Sequence, residues 1–399
     1  MKVLVVAEYY PRAADPVLGI WAHRQALAAR DAGAEVCVLV LHRPLPSLAA
    51  LRAGDAGALR EAVRQPGRAR LDGIEVGYVR YLSPPRPWSY GTWGAWAAPP
   101  LALALARLRR RFPFELVHAH YAVPAGDAVR RAAPGVPLIV SVHGGDVYAA
   151  SQRRSMAHSV RATLAHARLV LANSAGTAQR CARHGARATR VVHLGTDLPD
   201  LSRPSPRPAG SPPTLVTVGN LIERKRHRDV IAALPELLGR HPDLRYVVVG
   251  DGPERGALAE QARRLGVERH VEWRGRLPHT QALAAARAAD LFVLPSVDEA
   301  FGVAYVEAMA GGVPAIGCRG VDGPQEIAAA GGGIVLVEAG DVAALSARID
   351  ALLAAPAELA ELGRRARTTV ERAFTWERCG RETMSAYGHG LRADLESDV

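Results

Sequence analysis

Short runs of β-branched and aliphatic residues recur along the chain, separated by stretches rich in Ala, Leu and Arg. In the first half, VLVVA (3–7), EVCVLV (35–40), IEVGYV (74–79), LVHAH (116–120), PLIVSVH (137–143), LVLANS (169–174) and ATRVVHL (188–194) read as strands. In the second half the same reading falls on TLVTVG (214–219), LRYVVVG (244–250), HVEWRG (270–275), LFVLPS (291–296), PAIG (314–317) and GIVLV (333–337). Helical patterns separate most of them. Apolar strands alternating with helices predict parallel sheets covered by helices on both faces. Between the halves, LPDLSRPSPRPAGSPP (198–213) holds six prolines and no apolar periodicity, so it reads as a stiff linker. The expected fold class is therefore α/β, with two Rossmann-like doubly wound domains facing across a cleft that binds the ligand.

Composition narrows this picture. A length of 399 residues exceeds what one core usually supports, and an apolar content of 49% suits packed domains rather than disorder. Aromatics make up only 5%, so the core is expected to be mostly Ala, Leu and Val. The formal charge is +11, yet only Lys2 and Lys225 are lysines, the other 48 cations being arginines. A basic balance suits nucleic acid, an anionic membrane face or phosphorylated substrates, or simply a solvated surface. The arginines are dispersed and no aromatic–basic recognition motif is present, which argues against nucleic acid. Cys37, Cys181, Cys318 and Cys379 form no C-x-x-C pair, which excludes a dense disulfide framework or an ordinary zinc site and fits a reducing cytoplasm. Residues 87–106 carry no charge, but Pro99 and Pro100 are expected to break a helix there, against a membrane span. The apolar run at the start stops at Glu8, too soon for a signal-peptide core.

Three second-half segments end strands and open helices, where an open α/β sheet binds its ligand. In VGNLIERKRHRDVIAAL (218–234) the strand ends at Gly219 and leads through Asn220 to Arg224, Lys225 and Arg226, cations able to hold a diphosphate or to line an exposed turn. In VVVGDGPERGAL (247–258), Gly250 lets a nucleotide approach the backbone, though ordinary turns use the same residues. In ADLFVLPSVDEAFGVAYVEAMAGGVPAIG (289–317) a helix is expected from Phe301 or Gly302, its N-terminus suited to phosphate oxygens. Glu299 and Glu307 flank that junction as candidate acceptors for sugar hydroxyls. The plainer readings are an N-terminal capping carboxylate for Glu299 and a solvated helix face for Glu307.

Together these segments, with the late FTWER, resemble a family 4 retaining glycosyltransferase of GT-B fold, and the resemblance covers nearly the whole chain. It implies that Glu299 faces the donor sugar, Glu307 holds the nucleotide ribose, and Lys225 neutralises the leaving diphosphate. It also implies that the amides of Phe301, Gly302 and Val303 face that diphosphate. Two departures stand out: Asn220 occupies the place of the usual arginine, with Arg224 a candidate replacement, and Ala300 replaces a glycine. The reaction implied is sugar transfer from a nucleotide-sugar donor such as a UDP- or GDP-sugar, with retained anomeric configuration and no cofactor. The acceptor would be a glycan or lipid-linked molecule, plausibly in exopolysaccharide or other envelope-glycan synthesis. No D-x-D occurs, so a metal-dependent arrangement has no support in the sequence.

In the first half the resemblance makes residues 1–200 the acceptor-binding domain, residues 212–374 the nucleotide-sugar domain, and 375–399 a helix able to pack back on the first. Gly19 matches a loop glycine near the donor phosphates. In VSVHGGDVY (140–148), His143, with Gly144 and Asp146, matches a strand-end motif at the reacting centre and acceptor, Asp146 holding or orienting the imidazole. A hydrogen-bonded structural histidine remains the alternative. His118 and His120 share one strand face and could ligate metal, but no third ligand is apparent. Trp88, Trp93 and Trp96 precede RLRRRF (107–112), a pattern that suits either packing or peripheral contact at the inner membrane face. The rival functions are a GT-B sugar-nucleotide epimerase, which needs no acceptor, and a catalytically inactive relative.

Overall fold

The computed structural model describes residues 1–45, 57, 64–150, 154–200 and 210–392. Two compact units result: Met1–Leu194 together with the segment from Trp376 onward, and Gly195–Thr375. Most of the proline-rich stretch expected as a linker, residues 201–209, lies outside the described residues, as do 393–399 of the C-terminal segment.

The first unit is built on a sheet of β1 (Lys2–Ala7), β2 (Glu35–His42), β3 (Arg68–Leu71), β4 (Ile74–Arg80), β5 (Leu116–His120), β6 (Leu138–Val142), β7 (Leu169–Ala172) and β8 (Thr189–Val191). Their order is β3-β4-β2-β1-β5-β6-β7-β8, parallel except at β3. Chain order runs outward in one direction from β1 and in the other from β5, so the topological switch lies between these two. β1 shows why the apolar runs are unbroken. Leu4 and Val6 enter one core with Trp93, Leu101 and Leu105, while Val5 and Ala7 enter another with Ala22 and Ala26. Both faces of the strand are buried, so both sets of alternating side chains must be apolar. The C-terminal helix, Trp376–Arg392, packs on the Ile20–Asp31 helix within this unit. It does so at Gly380, where a Cβ would stand 2.2 Å from the Ala28 carbonyl oxygen.

Two features of this unit depart from expectation. β3 is a short charged edge strand joined to β4 through Asp72 and Gly73, both at positive φ, a tight hairpin turn of the Asp-Gly kind. The Trp93–Arg111 helix runs without interruption through Pro99 and Pro100. Those prolines cost little because they and the residues whose carbonyls they free, Ala95 and Trp96, lie on the outer side, where water satisfies the orphaned oxygens. No described helix is long and apolar enough to cross a membrane.

The second unit holds β9 (Thr214–Val218), β10 (Arg245–Val249), β11 (Val271–Gly275), β12 (Leu291–Val293), β13 (Ala315–Cys318) and β14 (Ile334–Val337). Their order is β11-β10-β9-β12-β13-β14, all parallel, with the switch between β9 and β12. β12 is shorter than its apolar run because Pro295 has no amide to continue the ladder beyond Leu294. Leu215, Val293 and Ile316 pack with Ile231, Leu234 and Leu237 of the His227–Arg240 helix.

Candidate active site

In each unit the candidate residues lie beyond the carboxyl ends of the strands at the switch or next to it, the position where open α/β sheets bind ligands.

In the second unit the chain leaves β9 at Gly219, passes Asn220 and makes a short 3₁₀ turn at Glu223–Lys225. The loop after β12 is tied to this turn by the Val297 amide, which donates to the Arg224 carbonyl (2.8 Å). That backbone tie brings Glu299 under two cations. The Lys225 ammonium donates to Glu299 Oε2, and Arg224 Nη1 lies 3.4 Å from the same oxygen, as does the Ser296 hydroxyl. The side chains of Lys225 and Glu299 are each 12% exposed, whereas Arg224 is 41% exposed. Burial alone would raise the Glu299 carboxyl, but the Lys225 ammonium, then Arg224, outweigh it and hold it below its ordinary range. Glu299 is thus a carboxylate at neutral pH, able to accept hydrogen bonds.

The N-cap of the Val303–Met309 helix is Gly302, at φ 83°, and no side chain caps the helix. The capping reading of Glu299 is therefore corrected: its carboxylate goes to Lys225. A Cβ at residue 302 would stand 2.5 Å from the Tyr305 ring and 3.2 Å from Glu299 Cγ, so this position needs glycine for both conformation and space. Ala300 and Phe301 are buried, Phe301 against Phe374 with ring centroids 5.4 Å apart. Val303 is half-buried. Gly250, after β10, passes so close to Gly219 that a Cβ would fall 1.9 Å from its carbonyl oxygen. Asn220 is exposed.

Glu307 is not on a solvated face, which corrects the plainer reading. Its side chain is 16% exposed, and Oε1 lies 2.8 Å from His279 Nε2. The Arg287 guanidinium donates to the Glu307 carbonyl (3.4 Å). Sequence reasoning missed His279 and Ser296; Ser296 lies within the 289–317 segment without being singled out there, and His279 lies in none of the segments that carry the resemblance.

In the first unit Gly19, at φ 64°, precedes the Ile20–Asp31 helix, and a Cβ there would stand 2.2 Å from the Tyr9 backbone. After β6, His143 Nε2 lies 3.0 Å from His120 Nδ1, with the rings stacked at 5.2 Å and 8°. Asp146 does not hold this imidazole. Its Oδ2 accepts from the Ala122 amide (2.9 Å), and further backbone amides around it favour its charge. The ring partner is His120, and Asp146 reaches His143 only through its backbone amide. Burial raises the Asp146 carboxyl to about 6 despite several backbone amides that favour its charge. Burial pushes His143 down to about 3, and pushes His118 to about 3 with help from His143, so both rings are neutral near pH 7. Next to His143 stands Gly144, at φ 95°. His118 spends both ring nitrogens, one on the Tyr387 hydroxyl (2.8 Å) and one on the Ser141 hydroxyl (2.7 Å), which makes it structural.

Trp93 is buried and its indole donates to the Pro84 carbonyl and the Ser89 hydroxyl, so it packs. Trp96 is 51% exposed, and the side chain of Trp88 lies outside the described residues.

Comparison with known proteins identifies the family and the fold. Residues 18–199 match the model of Glycosyltransferase Family 4 and residues 200–369 that of the Glycosyl transferases group 1. The chain is 30% identical over 400 residues to the 2-deoxystreptamine N-acetyl-D-glucosaminyltransferase of Streptomyces fradiae, covering 90% of this chain and 93% of that one. It is also 33% identical over 206 residues to the glycogen synthase of Mycobacterium tuberculosis, and spans about half the length of that relative (50%). The chain belongs to this glycosyltransferase family. Its fold is the GT-B fold. The sucrose-phosphate synthase of Thermosynechococcus elongatus superposes with a TM-score of 0.78 at 20% identity, covering 98% of this chain and 100% of that one. Anabaena Alr3699/HepE, solved with UDP and glucose, does so with a TM-score of 0.72 at 19% identity and the same coverage.

Proposed function

We propose that this protein is a retaining glycosyltransferase of hexosyltransferase type, moving a sugar from a nucleotide-sugar donor to a glycan or lipid-linked acceptor in envelope-glycan or exopolysaccharide synthesis. The observation that carries the reading is the meeting of Lys225 and Arg224 with Glu299 at the β9/β12 switch. Two cations there suit a diphosphate, and an ionised, largely buried carboxylate suits the hydroxyls of the attached sugar. Glu307 would take the ribose hydroxyls. That relatives are glycosyltransferases, and that Alr3699/HepE was solved with UDP and glucose, supports a nucleotide-sugar donor.

In the reaction, an acceptor hydroxyl oxygen bonds to the anomeric carbon on the face from which the diphosphate departs. The bond from that carbon to the diphosphate oxygen breaks, its electron pair stays with the oxygen, and the acceptor proton passes to the diphosphate. Lys225 and the Gly302–Val303 backbone stabilise the charge that grows on the leaving group. His143, with Gly144, would serve the acceptor as a neutral hydrogen-bonding ring at the end of β6. The protein works in the cytoplasm, and the exposed Trp96 and Leu103, on the same helix as Arg107, Arg109 and Arg110, support peripheral contact with the inner membrane face.

Thermal unfolding against UDP, GDP, ADP and dTDP tests this reading. A nucleotide at ~100 times its dissociation constant adds about 2.7 kcal/mol of stability. One nucleotide should raise the midpoint in the native protein and fail to do so in Lys225→Ala. If none raises it, the donor-site reading falls.

A further inference from the structure

On the flank of the first unit the Trp93–Arg111 helix does not close fully on the sheet. A groove of about 410 Å³ remains between the helix and the β3–β4 edge, a size that suits a small ligand. Small residues on both sides keep it open. Gly77 of β4 presents no side chain, and a Cβ there would stand 2.9 Å from Leu39 Cδ2, so Leu39 and Val79 form an apolar floor. Ala104 lines the helix side.

The two banks are cationic. Arg68 of β3 pairs with Gly77 in the hairpin, and Arg107 and Arg111, one turn apart, line the helix bank. Arg80 adds a fourth guanidinium, which donates to the Gln65 carbonyl (2.8 Å). No acidic residue lines the groove; Glu75, just outside it, takes Arg111 (3.1 Å). Arg68 and Arg107 are exposed and have no hydrogen-bond or ion-pair partner among the described residues. Exposed arginines elsewhere, such as Arg364 and Arg381, pair with a glutamate on their own helix. Uncompensated guanidinia on opposite banks of one groove repel each other, and an anion between them removes that cost.

The helix extends the groove with an apolar stripe. Trp96, Pro100, Leu103, Arg107 and Arg111 recur at helical spacing and share one face. Trp96 is 51% and Leu103 61% exposed, so the stripe is apolar over its first half and cationic over its second. Its direction is fixed at both ends. The Trp93 indole donates to the Pro84 carbonyl, beyond the carboxyl end of β4, whereas Arg111 meets Glu75 at the amino end. The helix cations therefore lie towards the amino ends of the strands, the opposite edge from the candidate active-site residues.

We propose that this groove is a second ligand site, for a phosphate monoester carried on an apolar chain. Arg68 and Arg107 hold the phosphate, and the chain runs along Leu103 and Pro100 towards Trp96. A guanidinium fork matches phosphate oxygens in pairs, and an apolar chain gains by covering side chains that water otherwise meets. The site goes beyond the transferase reading and stands without it, since it uses none of the residues assigned there to donor or acceptor.

Calorimetric titration of the full chain with octyl phosphate, kept below the concentration at which it forms micelles, tests this. Octyl phosphate should bind, inorganic phosphate should bind at least about tenfold more weakly for want of the chain, and octanol should give no signal. Arg68→Gln and Arg107→Gln should each weaken octyl phosphate by about fivefold and together by about 25-fold, the effect of exposed charge pairs acting independently. Leu103→Asp should weaken it too. Arg264→Gln, which removes an exposed cation of the second unit, should leave it unchanged. All four positions are exposed, and unfolding midpoints verify that the variants fold. The inference is overturned if octyl phosphate does not bind, if inorganic phosphate binds as tightly, or if the double variant binds as the native chain does. Flotation with phosphatidylcholine vesicles containing phosphatidic acid identifies the source of the group. Retention that the double variant loses assigns it to a bilayer lipid; otherwise it is a soluble monoester. Vesicle retention without octyl phosphate binding also overturns the inference, because surface charge alone would then suffice. Stabilisation by nucleotide should be the same in the native chain and the double variant, so the donor reading and the groove fail separately.

Discussion

At the gap between β9 and β12 the strand ends present Lys225, Arg224 and Glu299, three charges locked to one another. At the equivalent gap between β1 and β5 they present mostly rings, Tyr9, His120 and Tyr121, with the buried Glu8 carboxyl accepting from the Tyr90 hydroxyl (2.7 Å) and the Arg86 guanidinium over the Tyr9 and Tyr90 rings. Both sheets share such a switch, so the switch selects where a ligand goes and not what it is. Side chains decide that. A nucleoside diphosphate carries fixed negative charge, and cations held by a buried carboxylate stay in place to meet it. A sugar hydroxyl carries none, and neutral rings with unused hydrogen-bonding atoms suit it better than ions, whose desolvation would cost more than the contact returns.

The most severe test of this contrast removes the charge from one side. Lys225→Ala should lower turnover by about 10²–10³-fold, the range seen when a group stabilising a leaving oxygen is deleted. Release of nucleoside diphosphate measures it. A loss below about tenfold would transfer the charge role to Arg224.

Acid separates the two units next. His118 and His143 have folded-state values near 3, far below the ordinary histidine value of 6.5. Between those limits the unfolded chain binds protons that the folded chain does not, so stability falls as pH drops from 6.5 towards 3, by about 1.4 kcal/mol per pH unit for each such group. Burial depresses His120 too. Asp146, raised to about 6, acts oppositely between 3.8 and 6 but is one carboxyl against several imidazoles. The second unit has His227, lowered to about 4 by burial and by Lys225. Hydrogen exchange at pH 5 and pH 7, corrected for intrinsic rates, should show β5 and β6 losing more protection than β9 and β12. Equal losses would mean that the first-unit histidines are charged or already exposed.

Glu307→Ala should weaken nucleotide-sugar binding by about tenfold, the value of a hydrogen-bonded pair involving a charged group. Calorimetric titration reads it directly, and an unchanged affinity would sink the ribose role. His279→Ala should show a smaller loss, since it only holds the carboxylate in place.

Much of this was legible beforehand, for a physical reason. Strands buried on both faces must be apolar throughout, so VLVVA, LVHAH and TLVTV announced themselves. β3 did not, because RARL is an exposed edge with no core face, although Asp72-Gly73 beside it carried a hairpin signal. The helix through Pro99 and Pro100 was hidden because proline rules assume that the freed carbonyls are buried. In the candidate site, Lys225 and Glu299 were legible from their motif, yet the pairing that joins them depends on β9 and β12 being neighbours. His120 beside His143, His279 beside Glu307 and Tyr121 beside Tyr9 are likewise set by strand order and packing. No local pattern carries that information.

The smallest expected effects sharpen the charged side of the comparison. Arg224 is 41% exposed and 3.4 Å from Glu299, so its attraction is screened and should be worth at most about 1 kcal/mol. Arg224→Ala should therefore cost no more than about fivefold in nucleotide affinity. Asn220→Arg would place a further cation on the same loop and should raise affinity by a similar factor. The double variant Asn220→Arg with Arg224→Ala then decides how the site compensates. If it restores native affinity, one mobile cation beside Lys225 suffices and its position is interchangeable. If it does not, Arg224 matters through its contacts with Glu299 and the Asp298 carbonyl (3.4 Å), as a fixed part of the loop rather than a replaceable charge.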